Sequence, residues 1–179
     1  MPAPTRVEAF QQLREFLHHD VKNVLKMEHG GNYTAALVIA VGAEALSRLQ
    51  DEATDHVLIV MFARYEFDGA MAEDIVKALR HSLAHIFETT CIRVRKTDIE
   101  LVVGWGERPH MTLRPEPPGL YLNVRTMWED LQAELGAMQA RLEADKPWGQ
   151  QTPRDWQKRW VTQASPGAIA GWDRLLGPN

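Results

Sequence analysis

Apolar residues in the first part of the chain recur at steps of three and four, which is the period of helices with one buried face. Thr5 and Glu8 have the spacing of a capping box at the start of the first helix. The apolar period then continues to a pair of glycines that begins at Gly30. The pattern therefore predicts a first helix of about six turns.

A second helix is predicted from residue 33 to about residue 50, with Asn32 as its cap. It is apolar nearly all round, as a central bundle helix should be, and Glu44 interrupts its apolar wall. Residues 51–55 are predicted to form a polar loop. The apolar run at 57–62 can be a buried strand or a short helix, because periodicity alone does not separate the two over so few residues.

The segment 71–88 is predicted to be an amphipathic helix. At about 100° per residue, Arg80 falls on the flank of its apolar stripe, and His81 and His85 fall on the far side. Ala84 also lies on that side, so a second helix can approach closely there. The stripe consists of Ile75, Val76, Leu79, Leu83, Ile86 and Phe87.

After Cys91 the apolar period changes to two, which predicts strands. Turn signals separate these strands, so we expect a small antiparallel β-meander of three or four strands over about 91–124. The polar face of this meander is predicted to carry Arg93, Arg95, His110 and Arg114.

A long last helix is predicted after the meander, with Thr126 and Glu129 as its capping box and an end near Asp145. Residues 146–179 are rich in Pro, Gly and Gln and contain Trp148, Trp156, Trp160 and Trp172. We interpret residues 1–145 as one mainly α domain and 146–179 as a Trp-rich C-terminal extension.

Composition limits the class of protein further. The chain has 179 residues and 45% hydrophobic content, enough for one ordinary core. The formal net charge of -4 argues against a nucleic-acid binder that uses its whole surface, but a local basic site stays open. A single cysteine excludes an intrachain disulfide, and no apolar run approaches the ~20 residues that span a bilayer. We expect a cytoplasmic protein that does not enter the membrane.

The segment RHSLAH, from Arg80 to His85, has an arginine, four residues and a histidine. With the preceding GGNYTAAL segment at 30–37, it resembles the HEPN superfamily, whose ribonuclease members carry an Arg-x(4–6)-His motif on a late helix. The resemblance covers residues 1–145 and implies an up-and-down helical bundle. It also implies RNA as the partner and two copies of the motif that meet across a homodimer, here through the helix 71–88.

For this family the resemblance implies a metal-independent endoribonuclease with 2′,3′-cyclic phosphate and 5′-hydroxyl products, in a toxin-antitoxin or defence role. The residue types suit that chemistry, because His85 can activate a 2′-hydroxyl and Arg80 can stabilise charge on phosphate oxygens. His81 is the third candidate catalytic residue. No cofactor and no metal are expected.

The motif by itself is weak, because 14 Arg and 7 His give about half a chance match at this spacing. Arg14 and His19 form a second match in the first helix. We take that pair as the accidental one, since only Arg80 and His85 lie on the helix before the strands.

Each candidate also has a simpler explanation. Histidines on the far side of a helix are usually solvated, and His81 with His85 lacks a third ligand for a metal. Glu44 can orient Arg80 or pair with Arg48 four residues on.

The arginines of the sheet, Arg93, Arg95 and Arg114, can line an RNA path or protect strand edges. The tryptophans of the extension can stack on bases, dock on the protein itself or engage a partner protein. The alternative function is therefore a catalytically inactive HEPN-like module for interaction or nucleotide binding.

Overall fold

The computed structural model describes residues 3–26, 31–84, 90–106 and 108–154. Within these ranges the chain is mostly helical and contains one small sheet, as the sequence predicts. Its helices are α1 (Arg6–Val24), α2 (Asn32–Leu49), α3 (His56–Phe62), α4 (Gly69–Ala84), α5 (Val124–Ala144) and α6 (Lys146–Gly149). Its strands are β1 (Cys91–Val94), β2 (Thr97–Gly104), β3 (Thr112–Pro115) and β4 (Pro118–Asn123).

The predicted capping box of α1 is confirmed. The Thr5 hydroxyl accepts from the Glu8 backbone N–H at 3.3 Å, and the Glu8 carboxylate accepts from the Thr5 backbone N–H at 2.8 Å. These bonds satisfy backbone donors that the first helical turn leaves without partners. The backbone hydrogen bond from Thr5 also lowers the pKa of Glu8. The helix buries Ala9, Phe10, Leu17 and Val21.

Helix α2 lies at the centre of the bundle and packs against α1, α3, α4 and α5. Its cap is Gly31, whose φ of 77° is left-handed, so the predicted cap Asn32 is wrong. Asn32 is the first helical residue, and its side-chain amide donates to the Val103 carbonyl of β2 at 2.5 Å. A Cβ on Gly42 would lie 2.5 Å from a Leu17 methyl, so α1 crosses α2 closely there.

Although α2 is apolar nearly all round, one of its faces is exposed. Leu37 and Val41 are 44% and 51% exposed, while Ile39, Ala43 and Leu46 are fully buried. Two large apolar side chains on adjacent turns of the same helix thus remain in solvent, on the side of α2 that faces α4.

The open question at 57–62 is settled in favour of a helix. In α3, Val57, Leu58, Met61 and Phe62 are buried, which is one helical face. The Val57 backbone N–H donates to the Ser47 hydroxyl at 3.0 Å, so α2 anchors the first turn.

The sheet differs from the predicted antiparallel meander. Its order is β1-β2-β4-β3, and β2 pairs with β4 in parallel, with Leu101 beside Leu120. The β1–β2 and β3–β4 pairs are antiparallel hairpins. The central strands β2 and β4 thereby supply the buried residues of the sheet, and the exposed strands β1 and β3 become its edges. Each edge strand carries one arginine, and charge at an edge protects it from further pairing.

Helix α5 buries an apolar stripe of Met127, Leu131, Leu135, Met138 and Leu142. Its predicted cap at Thr126 is wrong, because the helix begins earlier. The Asn123 side chain accepts from the backbone N–H groups of Arg125 and Thr126 and ends β4 at the same residue.

The start of the predicted extension packs on the helical domain. The Trp148 ring lies between two guanidinium groups, 4.6 Å from Cζ of Arg6 and 4.0 Å from Cζ of Arg141. Arg6 is buried, forms an ion pair with Asp51 and donates to the carbonyls of Leu49 and Trp148. Docking on the protein itself thus accounts for Trp148, while Trp156, Trp160 and Trp172 lie outside the described residues.

Candidate functional site

Arg80 lies in the next-to-last turn of α4, on the flank of the buried stripe, as its position in the helix predicts. Ile75, Val76 and Leu79 are buried, while Arg80 and His81 are exposed. Arg80 reaches a surface cavity of about 180 Å³ between α2, α3 and α4. The cavity is lined by Leu37, Ala40, Val41, Glu44, Asp55, Leu58, Arg80 and Leu83.

Two carboxylates hold the Arg80 guanidinium. It donates to Glu44 at 3.0 Å and forms a second ion pair with Asp55, which directly precedes α3. The other Glu44 oxygen accepts from Arg48 at 2.7 Å. Both predicted partners of Glu44 are therefore present together. Two arginines balance two carboxylates, so this cluster carries no net charge.

The histidine of the motif, His85, lies outside the described residues, and so does the side chain of Ala84. The structure therefore shows the surroundings of Arg80 but not those of His85. His81 is exposed and follows Arg80 directly in the helix. The predicted pairing of two such helices through Ala84 remains a prediction.

The arginines of the sheet do not join this cavity. Arg93 makes a two-pronged ion pair with Asp98 across the β1–β2 hairpin, at 2.6 and 2.8 Å, and its hydrogen bond lowers the Asp98 pKa. Arg114 donates to Glu100 at 3.1 Å. Arg95 occupies the hairpin turn, with φ of 56°, rather than a strand face. None of these three arginines lines the Arg80 cavity.

The predicted place of His110 on the polar face of the sheet is wrong. It is 8% exposed, and its Nδ1 accepts from the Asn123 backbone N–H at 2.9 Å. Burial lowers the pKa of His110 to about 4, so the ring is neutral near pH 7. The edge of Tyr65 packs on it at 4.8 Å between ring centroids. This histidine is a core residue that ties the loop before β3 to the end of β4.

Tyr65 is itself part of a contact between the α3 end and α5. Its hydroxyl donates to Asp130 at 2.8 Å, and Arg64 forms ion pairs with Asp130 and Glu134. Burial and the hydrogen bond with Asp130 raise the pKa of Tyr65. The raised pKa of Tyr65 is thus explained by its contact with α5.

The second Arg-x4-His pair occupies a larger cavity. Arg14 and His19 line a groove of about 690 Å³ between α1 and α5, together with His18, Lys22, Lys26 and Trp128. The sequence contains a signal for this surface, because positions 14, 18, 22 and 26 recur every four residues on one helix face. Asp55, by contrast, has no local signal, since it meets Arg80 from a loop 25 residues away.

In the part of the chain that the structure describes, no three His, Cys, Asp or Glu side chains come close enough together to hold a metal ion. No helix in that part is both long and apolar enough to cross a membrane.

Comparison with models of known protein families, with curated proteins and with solved structures finds no match for this chain. The site must therefore be interpreted from its own residues.

Proposed function

We propose that this protein is a homodimeric, metal-independent endoribonuclease of the HEPN type that cleaves single-stranded RNA. The observation that supports this best is the setting of Arg80. It points outward from α4 into a surface cavity, and Glu44 and Asp55 orient it. An arginine held from two sides presents a guanidinium in a defined direction, and His85, five residues later in the sequence, supplies an imidazole that can act as a base.

In this mechanism His85 takes the proton from a 2′-hydroxyl, and the 2′-oxygen attacks the adjacent phosphorus. The bond from phosphorus to the 5′-oxygen breaks, leaving a 2′,3′-cyclic phosphate, and the departing 5′-oxygen takes a proton. His81, four residues before His85 in the sequence, is the candidate donor of that proton. Arg80 stabilises the negative charge that builds on the phosphate oxygens.

Glu44 and Asp55 act as positioning residues for Arg80. A guanidinium has five N–H donors in a rigid fork, so a phosphate can replace one carboxylate while the other continues to hold the group. In a single subunit the charges of the cluster cancel, so binding of phosphate there requires additional positive charge. The second subunit supplies it in our proposal.

The apolar surface next to Arg80 supports a homodimer. Leu37 and Val41 line the same cavity as Arg80 and are exposed. Exposed apolar side chains beside a polar group are typical of interaction sites. A two-fold pairing of the helix 71–88 and the adjacent face of α2 would cover them and bring two motifs together. Arg93, Arg95 and Arg114 extend the proposed RNA path, and the role is that of a toxin or defence factor.

A second candidate function is a catalytically inactive, HEPN-like interaction module. The observation that favours it is the same pair of carboxylates, because an arginine with two carboxylate partners is also what a structural ion-pair network contains. In this case Arg80 joins α2, α3 and α4, and the Trp-rich extension engages a partner protein.

The test is incubation of the purified protein with end-labelled single-stranded RNA in EDTA. We expect cleavage with cyclic phosphate ends, and loss of cleavage in His85→Ala and Arg80→Ala. Arg125→Ala, which removes an exposed arginine at the start of α5, is the matched control and should cleave normally. Absence of cleavage by the wild type, or equal cleavage by His85→Ala, refutes the ribonuclease and favours the interaction module.

A further inference from the structure

The groove between α1 and α5 has a volume of about 690 Å³, several times that of the Arg80 cavity. Its lining includes Arg14, Lys22 and Lys26 but a single acid, Glu15. His18 and His19 add two groups that can carry positive charge. In a chain with a formal net charge of -4, this is a local reversal of sign, and local clustering decides which ligands a surface attracts.

The cations form a row rather than a single cluster. Arg14, His18, Lys22 and Lys26 follow one another at intervals of four residues, on one face of α1 and just beyond its end. At 1.5 Å per residue the row is roughly 18 Å long. Lys22 also complements the negative end of the α1 dipole, but that role explains one position and not four. A row of this length fits a ligand whose negative charges repeat along a chain.

The opposite wall of the groove is supplied by α5 and is not cationic. It carries Gln132, Gln139 and the half-buried Trp128. The Arg14 guanidinium donates to the side-chain oxygen of Gln139 at 2.8 Å and so joins the two walls at one end. An aromatic ring beside a row of cations is the combination that binds single-stranded nucleic acid, where bases stack on the ring and phosphates contact the cations.

We propose that the groove between α1 and α5 binds single-stranded nucleic acid, with phosphates along Arg14, His18, Lys22 and Lys26 and a base against Trp128. This inference does not depend on cleavage at Arg80. The chain's own end is a poor occupant, because residues 155–179 contain three Lys or Arg and two Asp and are not acidic. An acidic peptide would match the charge but gives no account of the tryptophan.

The groove is tested by fluorescence anisotropy with a labelled 12-nucleotide 2′-O-methyl RNA, which has no free 2′-hydroxyl and cannot be cleaved by the proposed reaction. A DNA oligonucleotide of the same sequence is measured in parallel, and oligoglutamate is added as a competitor that carries negative charge but no bases. We expect saturable binding by both nucleic acids. Contacts from three fixed cations predict a slope of log affinity against log salt near -2, from about -0.7 per phosphate contact.

Two sets of variants locate the binding. Lys22→Glu combined with Lys26→Glu should weaken binding at least tenfold, whereas Lys96→Glu with Lys146→Glu changes the net charge equally outside the groove and should bind within about twofold of wild type. Trp128→Ala should weaken binding about tenfold, and Trp128→Phe should retain most of it, because Phe also stacks. Circular dichroism verifies that each variant is folded.

The inference is overturned if the wild type fails to bind at tens of micromolar. Equal losses in the two charge-reversal variants, or equally effective competition by oligoglutamate, also overturn it. Arg80→Ala and His85→Ala should weaken binding of the uncleavable RNA far less than Lys22→Glu with Lys26→Glu does. A variant that binds RNA but no longer cleaves it therefore affects the site at Arg80. A variant that no longer binds the uncleavable RNA affects the groove between α1 and α5.

Discussion

The chain contains two arginines that are followed after four residues by a histidine, and the surroundings of the two arginines differ in charge. Arg80 on α4 is held between Glu44 and Asp55, beside exposed apolar residues. Arg14 on α1 faces an uncharged amide, Gln139, in a groove with further cations. Equal spacing along a helix therefore says little about the electrostatic field that the arginine contributes to.

The difference suggests a division of tasks. A guanidinium held by carboxylates has a fixed direction and suits a positioned role in a reaction, whereas a row of exposed cations suits retention of a polyanion. The exposed Leu37 and Val41 of α2 lie beside Arg80 and not in the groove, so the proposed subunit contact lies on the Arg80 side. The role of Arg80 and the role of the groove can each be tested with separate variants.

The largest expected effect separates the two surfaces by enzyme kinetics. Arg80→Ala and His85→Ala should lower kcat by about 100- to 10,000-fold, because each removes a group that acts in the transition state. Lys22→Glu with Lys26→Glu should instead raise KM and leave kcat within a few-fold. Initial rates of cleavage over a range of RNA concentrations measure both. A fall in kcat in the groove variant, with α4 variants unaffected, would reverse the assignment.

The next effect concerns assembly. Val41→Glu places a charge on the apolar face beside Arg80, and burial of an unpaired charge in an interface should weaken the dimer at least a hundredfold. Light scattering at tens of micromolar should then give the monomer mass. Leu113→Glu is the control, since Leu113 is 56% exposed on the edge strand β3. A wild-type monomer, or a dimer that Val41→Glu leaves intact, contradicts the interface.

The next prediction concerns the stability of the fold at acidic pH, which sets the pH range in which RNA binding and cleavage can be compared. Burial lowers the pKa of His110 to about 4, so the unfolded chain takes up a proton before the folded chain does. Stability from this residue is complete above about pH 6.5 and falls as pH decreases toward 4, by at most about 3 kcal/mol. Urea unfolding at pH 7 and pH 5 measures the loss.

His110→Gln is the control for this pH dependence, because its side chain does not titrate. The variant should be less stable than wild type at pH 7 and should lose less stability between pH 7 and pH 5. Parallel losses in the two proteins would show that other groups cause the dependence. Binding and cleavage should accordingly be compared near neutral pH.

The smallest effect tests the charge balance at Arg80 directly. Glu44→Gln with Asp55→Asn removes two carboxylates and leaves Arg48 and Arg80 unopposed, so the α4 cavity should become basic like the groove. We expect affinity for the uncleavable RNA to rise about fivefold, with less than about 1 kcal/mol lost per exposed ion pair. Anisotropy and urea unfolding measure the two quantities. Unchanged affinity would mean that phosphate does not reach Arg80.

Much of the helical layout could be predicted because its causes are local. The capping box of α1 joins Thr5 to Glu8, three residues away, and the stripe of α5 repeats within one helix. The period of α4 places Arg80 on the flank and His81 outside. Local competition also explains one error, since Asn123 offers a cap before Thr126 can act as one.

The sheet order and the site partners could not be predicted, because their causes are not local. The parallel pairing of β2 with β4 depends on which strands the helices bury, and the alternation in each strand is the same in either order. Glu44 reaches Arg80 across 36 residues and Asp55 across 25 residues. No pattern within a window of helical length contains such pairs.

The sequence by itself determined which residues face inward on α4 and α5 and where two Arg-x4-His pairs stand, since both follow from periodicity and side-chain chemistry. Only the tertiary structure decided that α2 keeps Leu37 and Val41 in solvent, that carboxylates neutralise Arg80, and that α5 turns the Arg14 face into a groove. The physical reason is that charge balance and concavity arise between elements, through the packing of residues distant in the chain.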